Sequence, residues 1–107
     1  MPVMTLPYPP KDESLRRGGV LTERYMTWER ACQPTARQCQ YTPGAVDIVV
    51  TLNEANGSTA GRGDAVGLLL EDLGLIDSVK SIRSLKVETG PVCGCLVEVR
   101  QAVEGAA

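Results

Sequence analysis

Apolar and polar side chains alternate most clearly between residues 46 and 53. The apolar residues fall on one parity and most polar residues on the other, which is the period-two pattern of a strand with one buried face. Only Val49 is apolar on the outer parity. The alternation therefore predicts a strand with inward-facing Val46, Ile48, Val50 and Leu52 and outward-facing Asp47, Thr51 and Asn53.

Two further strands are indicated nearer the C-terminus. The inward parity of the last strand carries Cys93, Cys95, Val97, Val99 and Val103. Before it, Leu85 and Val87 alternate with charged residues, but Ile82 falls on the wrong parity for that strand. We therefore expect either a bulge near Arg83 and Ser84 or a strand that begins only after Ile82.

A helix is predicted between the first two of these strands. Its apolar residues recur at helical spacing, at Val66, Leu69, Leu70 and Leu73. Asp64 is the expected N-cap, because its carboxylate can accept a free backbone N–H of the first turn. Gly74 is expected to end the helix in the left-handed conformation, with Leu75 packing back on Leu70 as in a Schellman motif.

A second, amphipathic helix is predicted from Leu21 to Cys32. Its apolar stripe consists of Leu21, Tyr25, Trp28 and Cys32. Pro34 is expected to end it, because proline cannot continue the hydrogen-bond ladder. The stripe must pack on something: either on the sheet of its own subunit or on a neighbour, since Tyr and Trp anchors often dominate interfaces.

The N-terminal segment combines prolines with apolar side chains. Its prolines are Pro2, Pro7, Pro9 and Pro10, which favour an extended polyproline II conformation. One interpretation is a flexible terminus, and the other is an arm that lies on a neighbouring subunit. In the second interpretation the candidate interface residues are Tyr8, Pro9, Tyr25 and Trp28.

These elements together predict an α+β fold. We expect a small three-stranded mixed sheet in β-α-β-β order with one packed helix, preceded by an extended Pro-rich arm and a short amphipathic helix. A helical crossover makes the first two strands parallel, and the last two are expected to form a hairpin around residues 88–94. The predicted segments are the arm at 1–19, the amphipathic helix and Cys-containing linker at 20–40, and the β-α-β-β domain at 41–107.

Composition limits both the core and the classes of partner. Of 107 residues 43% are hydrophobic but only 4% are aromatic, so the core must consist mainly of Val, Leu and Ile. The patterned region spans about 60 residues, a size at which a single core is only marginally stable. We therefore expect another copy, a partner, a metal or disulfides to complete it.

Charge and hydropathy argue against two kinds of partner. The net charge is −2 and no stripe of Lys and Arg is present, which disfavours a nucleic-acid surface. No apolar run reaches the roughly 18 residues of a membrane span. No secretion signal is recognisable, so we expect a cytoplasmic protein or a particle assembled in the cytoplasm, such as a virion.

Catalytic signatures are weak throughout the chain. Without His, every mechanism that requires an imidazole is excluded, and no Ser, Thr or Cys has an evident partner base. The glycine-rich stretch Gly61, Arg62 and Gly63 precedes a helix, but it does not have the spacing of a phosphate-binding loop. We therefore expect neither an enzyme nor a cofactor.

The four cysteines admit three interpretations. The candidates are Cys32, Cys39, Cys93 and Cys95. They can be small buried hydrophobic residues, they can form disulfides between the two clusters or between subunits, or they can bind a metal as four thiolates. The spacings C-x6-C and C-x-C are poor for zinc, and two cysteines at i and i+2 of one strand are too far apart for an easy disulfide.

The function predicted from these observations is that of a structural or interaction protein. It would be a non-enzymatic subunit of a larger assembly, for example a virion structural or capsid-decorating protein, and its partners would be other protein subunits or further copies. The alternative is a small oligomeric protein that binds a ligand or a metal at the cysteines or at a subunit interface.

Overall fold

The computed structural model describes residues 3–10, 16–17, 20–56 and 62–102. Its strands are β1 (Val3–Leu6), β2 (Arg16–Arg17), β3 (Val20–Leu21), β4 (Val46–Leu52), β5 (Ile82–Thr89) and β6 (Cys95–Gln101). Its α-helices are α1 (Glu23–Ala36) and α2 (Gly63–Asp72), and short 3-10 turns lie at Glu54–Asn56 and Val79–Ser81. Pro2, Gly61 and Val103, which entered the predictions, lie outside the described residues.

The main sheet is mixed and has the strand order β1-β6-β4-β5. As expected for a helical crossover, β4 and β5 are parallel. The predicted hairpin between the last two strands is wrong, because β6 pairs antiparallel with β4 instead of β5. The connecting segment crosses the end of β4, where the Gly90 amide donates to the Leu52 carbonyl at 3.0 Å and the Asn53 side chain donates to the Val92 carbonyl at 3.0 Å.

The sheet has four strands, so the prediction of three strands is wrong. The additional strand is β1, which pairs antiparallel with β6 and buries Met4 and Leu6 in the core. Val3–Leu6 contains no proline, and the prolines on either side do not interrupt it. This part of the predicted arm therefore belongs to the chain's own sheet. Gly94, with φ of 77°, permits the close approach of Leu6, whose carbonyl oxygen would lie 2.5 Å from a Cβ atom there.

Helix α1 differs from its prediction at both ends. It begins after Thr22, whose hydroxyl accepts a hydrogen bond from the Tyr25 amide at 3.3 Å, and it continues through Pro34 to Ala36. Proline removes a single donor in the last turn. Helical hydrogen bonding resumes after the proline, because the Arg37 amide donates to the Gln33 carbonyl at 3.0 Å. Pro34 therefore lies inside the helix and does not end it.

Helix α2 ends as predicted but begins differently. Arg62, not Asp64, occupies the N-cap position, and Asp64 lies in the first turn. At the other end Gly74 has φ of 71°. The Leu75 amide donates to the Leu70 carbonyl at 2.9 Å and the Gly74 amide to Glu71 at 3.1 Å, which are the two hydrogen bonds of a Schellman motif.

Both helices cover the same face of the sheet. The buried strand residues are Met4, Leu6, Val46, Ile48, Val50, Leu52, Cys95, Val97 and Val99, and they form one core with Tyr25, Trp28, Val66, Leu69 and Leu70 of the helices. The predicted inward parity of β4 is confirmed. The predicted bulge is confirmed as well, since Val46 pairs with Ile82 and Asp47 with Ser84, which leaves Arg83 as the extra residue.

Among the described residues no helix is both long and apolar enough to cross a membrane.

Candidate interaction surface

The side of the sheet opposite the helices forms a continuous surface, which we call the open face. The strand registers place it as adjoining rows across β1, β6, β4 and β5. Its residues are Val3, Thr5, Asp47, Val49, Thr51, Ser84, Lys86, Glu88, Leu96, Glu98 and Arg100. Neither described helix covers this side, so within the described residues the helices pack on one face of the sheet only.

Charged residues on the open face pair with one another. Arg100 donates to both carboxylate oxygens of Glu98 at 2.6 and 3.0 Å, and the Lys86 ammonium lies 3.3 Å from Glu88. The third pair joins Arg83, the bulge residue, to Asp47. The three cations and three carboxylates of these pairs cancel, so the face is electrically balanced and offers no cationic stripe for phosphates.

Asp47 is the most strongly held carboxylate of this surface. The Arg83 Nε donates to it at 3.0 Å and the Ser84 hydroxyl at 2.7 Å. These donors, Arg83 first, hold the pKa of Asp47 below its ordinary value. The bulge at Arg83 is thus tied to the neighbouring strand, and the remainder of β5 continues in regular register from Ser84.

Apolar side chains lie between the charges of the open face. Val49 and Leu96 are half-buried, and Val3 is 51% exposed. Val49 was the one outward-facing apolar residue in the first strand pattern, so the sequence carried a signal for this surface. Leu96 and Val3 could be assigned to it only once the strand order was known.

The two edges of the sheet differ in length and composition. β1 is four residues long and is followed by Pro7, whereas β5 is eight residues long and contains no proline. No described strand pairs with the outer side of β5. Val87 near the end of this strand is 39% exposed although it lies on the parity of the core. The outer edge of β5 is therefore the longer edge and carries an exposed apolar side chain.

The four predicted interface residues make contacts inside their own chain. Tyr25 and Trp28 are 0% and 6% exposed. The Tyr25 hydroxyl donates to Asp72 of α2 at 2.9 Å, and Trp28 Nε1 donates to the Pro7 carbonyl at 2.8 Å. These residues therefore bind α1 to its neighbours in the fold, and a role for them between subunits remains a prediction.

Arg62 holds the segment that follows β1. Its guanidinium lies 4.7 Å from the centroid of the Tyr8 ring, and its Nη1 donates to the Pro9 carbonyl at 2.6 Å. Pro9 itself is buried and Tyr8 is half-buried. Together with the bond from Trp28 to Pro7, this contact fixes residues 7–9 between the N-terminal end of α2 and helix α1.

Tyr25 also belongs to a polar contact between the helices. Desolvation by burial raises its pKa, and its hydrogen bond to Asp72 adds to the effect. Glu29, one turn further along α1, has a pKa raised first by burial and then by the nearby Asp72 carboxylate. The neutral tyrosine hydroxyl is therefore a hydrogen-bond donor that joins the two helices.

The cysteines are free thiols, so the predicted disulfides within the chain are wrong. Cys32 and Cys95 are completely buried in the core, Cys39 is half-buried with its thiol 3.7 Å from the Thr35 carbonyl, and Cys93 is exposed. The described part of the chain contains no group of three or more metal-ligating side chains. For Cys32 and Cys95 the structure matches the interpretation as small buried hydrophobic residues.

Comparison of the chain with models of known protein families gave no match, and comparison with curated proteins gave none either.

Proposed function

We propose that this protein is a non-enzymatic interaction protein, a subunit of a larger assembly whose partners are other protein subunits, first of all further copies of itself. The observation that carries the proposal is the uncovered part of the sheet. The described helices pack on one face only, and the longest strand, β5, has no described partner on its outer side.

The uncovered edge of β5 supports this proposal. This strand lies at the edge of a mixed sheet, and the described helices cover only one face of that sheet. An exposed edge of such a strand also presents a row of backbone donors and acceptors to any neighbouring chain. A second protein chain supplies the missing contacts.

Compared with the sequence-based expectation, the proposal assigns association to different residues. The arm and α1 were expected to contact neighbours, but β1 and the stripe of α1 are packed into the core of their own chain. The parts of the sheet that these elements leave uncovered are the open face and the outer edge of β5. The balanced charges and interspersed apolar residues of the open face have the mixed character of non-obligate protein interfaces.

The proposal is tested by the mass of the purified protein in solution. We expect sedimentation equilibrium or light scattering to show a reversible species of at least twice 11.4 kDa at micromolar to near-millimolar concentrations. Dilution should return it to the monomer, which separates association from irreversible aggregation. A mass of 11.4 kDa over the whole concentration range would contradict the proposal.

A further inference from the structure

We propose that a second copy of this chain pairs its β5 with the outer edge of β5, antiparallel, about a two-fold axis through Val87. The two four-stranded sheets then form one continuous sheet of eight strands, with all helices on one side. This inference rests on the proposed function, since it names the partner and the surface for the same association.

The edge is a better site for a second copy than the open face. Stacking two open faces would remove three ion pairs of each copy from water, and the desolvation of such groups opposes their burial. Edge pairing leaves those side chains in water and instead joins backbone groups that have no described partner. It also covers Val87, which is 39% exposed.

Strand β5 is the edge that can accept such a partner. Its regular part runs from Ser84 to Thr89, beyond the bulge at Arg83, and contains neither proline nor glycine. The opposite edge, β1, offers four residues and is followed by Pro7, which cannot donate a ladder hydrogen bond. Self-pairing of β5 is therefore favoured by length and by composition.

Charge selects the register of the pairing. If the open faces of both copies lie on the same side of the joined sheet, the two-fold axis is perpendicular to the sheet and passes through one residue of β5. That residue then lies opposite the same residue of the partner. An axis through Lys86 places two ammonium groups opposite each other, and an axis through Glu88 does the same with two carboxylates. An axis through Val87 places Lys86 opposite the partner's Glu88, and by symmetry it does so twice.

The same register matches the other side of the sheet. Val87 lies beside its own counterpart and Leu85 lies opposite the partner's Thr89, all on the parity of the core. Val87 thereby gains an apolar neighbour from the second copy, and Leu85 gains the methyl-bearing side chain of Thr89. In the dimer the helices of the two copies therefore lie on either side of the row formed by Leu85, Val87 and Thr89. In the single chain this row lies at the edge of the sheet.

Reciprocal charge variants test the pairing. Lys86→Glu creates a copy with two carboxylates at positions 86 and 88, and Glu88→Lys creates a copy with two ammonium groups. Each variant alone should dimerise roughly tenfold more weakly or worse than the wild type at low ionic strength, since two cross-strand pairs become repulsive. An equimolar mixture of the two should recover a dimer, because both pairs are again complementary.

Recovery of the dimer in the mixture would show that both variants are folded, because a misfolded variant could not associate with the other. Circular dichroism of each variant alone provides this control when the mixture stays monomeric. If the wild type is dimeric but the mixture of folded variants stays monomeric, the edge pairing is wrong, while the proposed function is still supported. In that case Val49→Lys on the open face should dissociate the wild-type dimer; under edge pairing it should leave the dimer intact. A wild type that is monomeric throughout would overturn the proposed function and this inference together.

Discussion

Burial decides what each cysteine can do. Cys32 and Cys95 are completely buried, and desolvation raises the pKa of each thiol to about 12. Because the thiolate is the reactive form, these two side chains are nearly inert in the folded protein. Cys93 is exposed and Cys39 is half-buried, so the accessible thiols lie two residues before β6 and after α1.

Alkylation of the native protein at mildly alkaline pH should therefore modify two of the four cysteines. We expect Cys93 to react first, Cys39 more slowly, and Cys32 and Cys95 only after addition of denaturant. Mass spectrometry of the labelled peptides provides the measurement. Rapid labelling of Cys95 in the native protein would show that the core around β6 is open.

Cys93 and Cys95 show where an alternating sequence pattern fails to predict which side chains are buried. Both were assigned to one inward parity, yet Cys95 is buried and Cys93 is exposed. The strand begins only at Cys95, after Gly94 with φ of 77°. A residue in the left-handed region interrupts the extended backbone, so the alternation of side chains does not continue across it.

At the scale of single elements, α2 is the part that local rules describe best. Its apolar spacing, its glycine stop and the return of Leu75 to Leu70 are all present. Each of these depends on residues within one or two turns, and such interactions hold whatever lies further along the chain. The predicted N-cap was wrong by two residues: Arg62 occupies this position, and its side chain binds the segment after β1, a contact across 53 residues of sequence.

The Schellman motif predicts the effect of replacing Gly74. We expect Gly74→Ala to lower the free energy of unfolding by about 1 kcal/mol, the approximate cost of holding a residue with a Cβ atom in the left-handed region. No atom lies within 4 Å of the added carbon, so strain of the backbone is the cause. Gly74→Asn is the matched variant and should cost less, since Asn tolerates this conformation.

Urea unfolding monitored by circular dichroism measures both changes. Equal stability of the alanine variant and the wild type would mean that the end of α2 relaxes without difficulty.

Helix α1 shows the limit of a local rule. Proline commonly ends a helix, but Pro34 lies in the last turn of α1, with only two helical residues after it. Ala36, beyond the proline, is 2% exposed and is part of the core, so packing stabilises that turn. Tertiary contacts thus outweigh the local preference against proline, which is about 3 kcal/mol in a helix interior.

At the scale of the whole molecule, β1 completes the sheet. Leu6 is 2% exposed and lies beside the end of β6, where its register partner is Cys95. The residues after it are fixed by bonds from Trp28 and Arg62 to backbone carbonyls. Residues 3–9 therefore contribute to the stability of the single chain, whether or not they also contribute to an assembly.

Truncating Leu6 tests this role. Leu6→Ala should lower the free energy of unfolding by about 2–5 kcal/mol, as expected for a buried leucine, and Val3→Ala should change it by less than about 0.5 kcal/mol because Val3 faces outward. Chemical denaturation of both variants provides the comparison. Equal, small effects would mean that β1 detaches easily from β6, as an arm would.

The amino-acid sequence by itself determined the local elements of this protein: the inward parity of β4 and of β6 from Cys95 onwards, a bulge near Arg83 as one of two alternatives, the glycine end of α2 and the apolar stripe of α1 from Tyr25 to Cys32. These follow from periodicities and conformational preferences that operate over a few residues. The tertiary structure decided what requires distant partners: the place of β1 beside β6, the insertion of β6 next to β4, and the burial of Tyr25 and Trp28 in their own chain. A short apolar segment between prolines has the same pattern whether it pairs with its own sheet or with another molecule, and only the available strand edges distinguish the two.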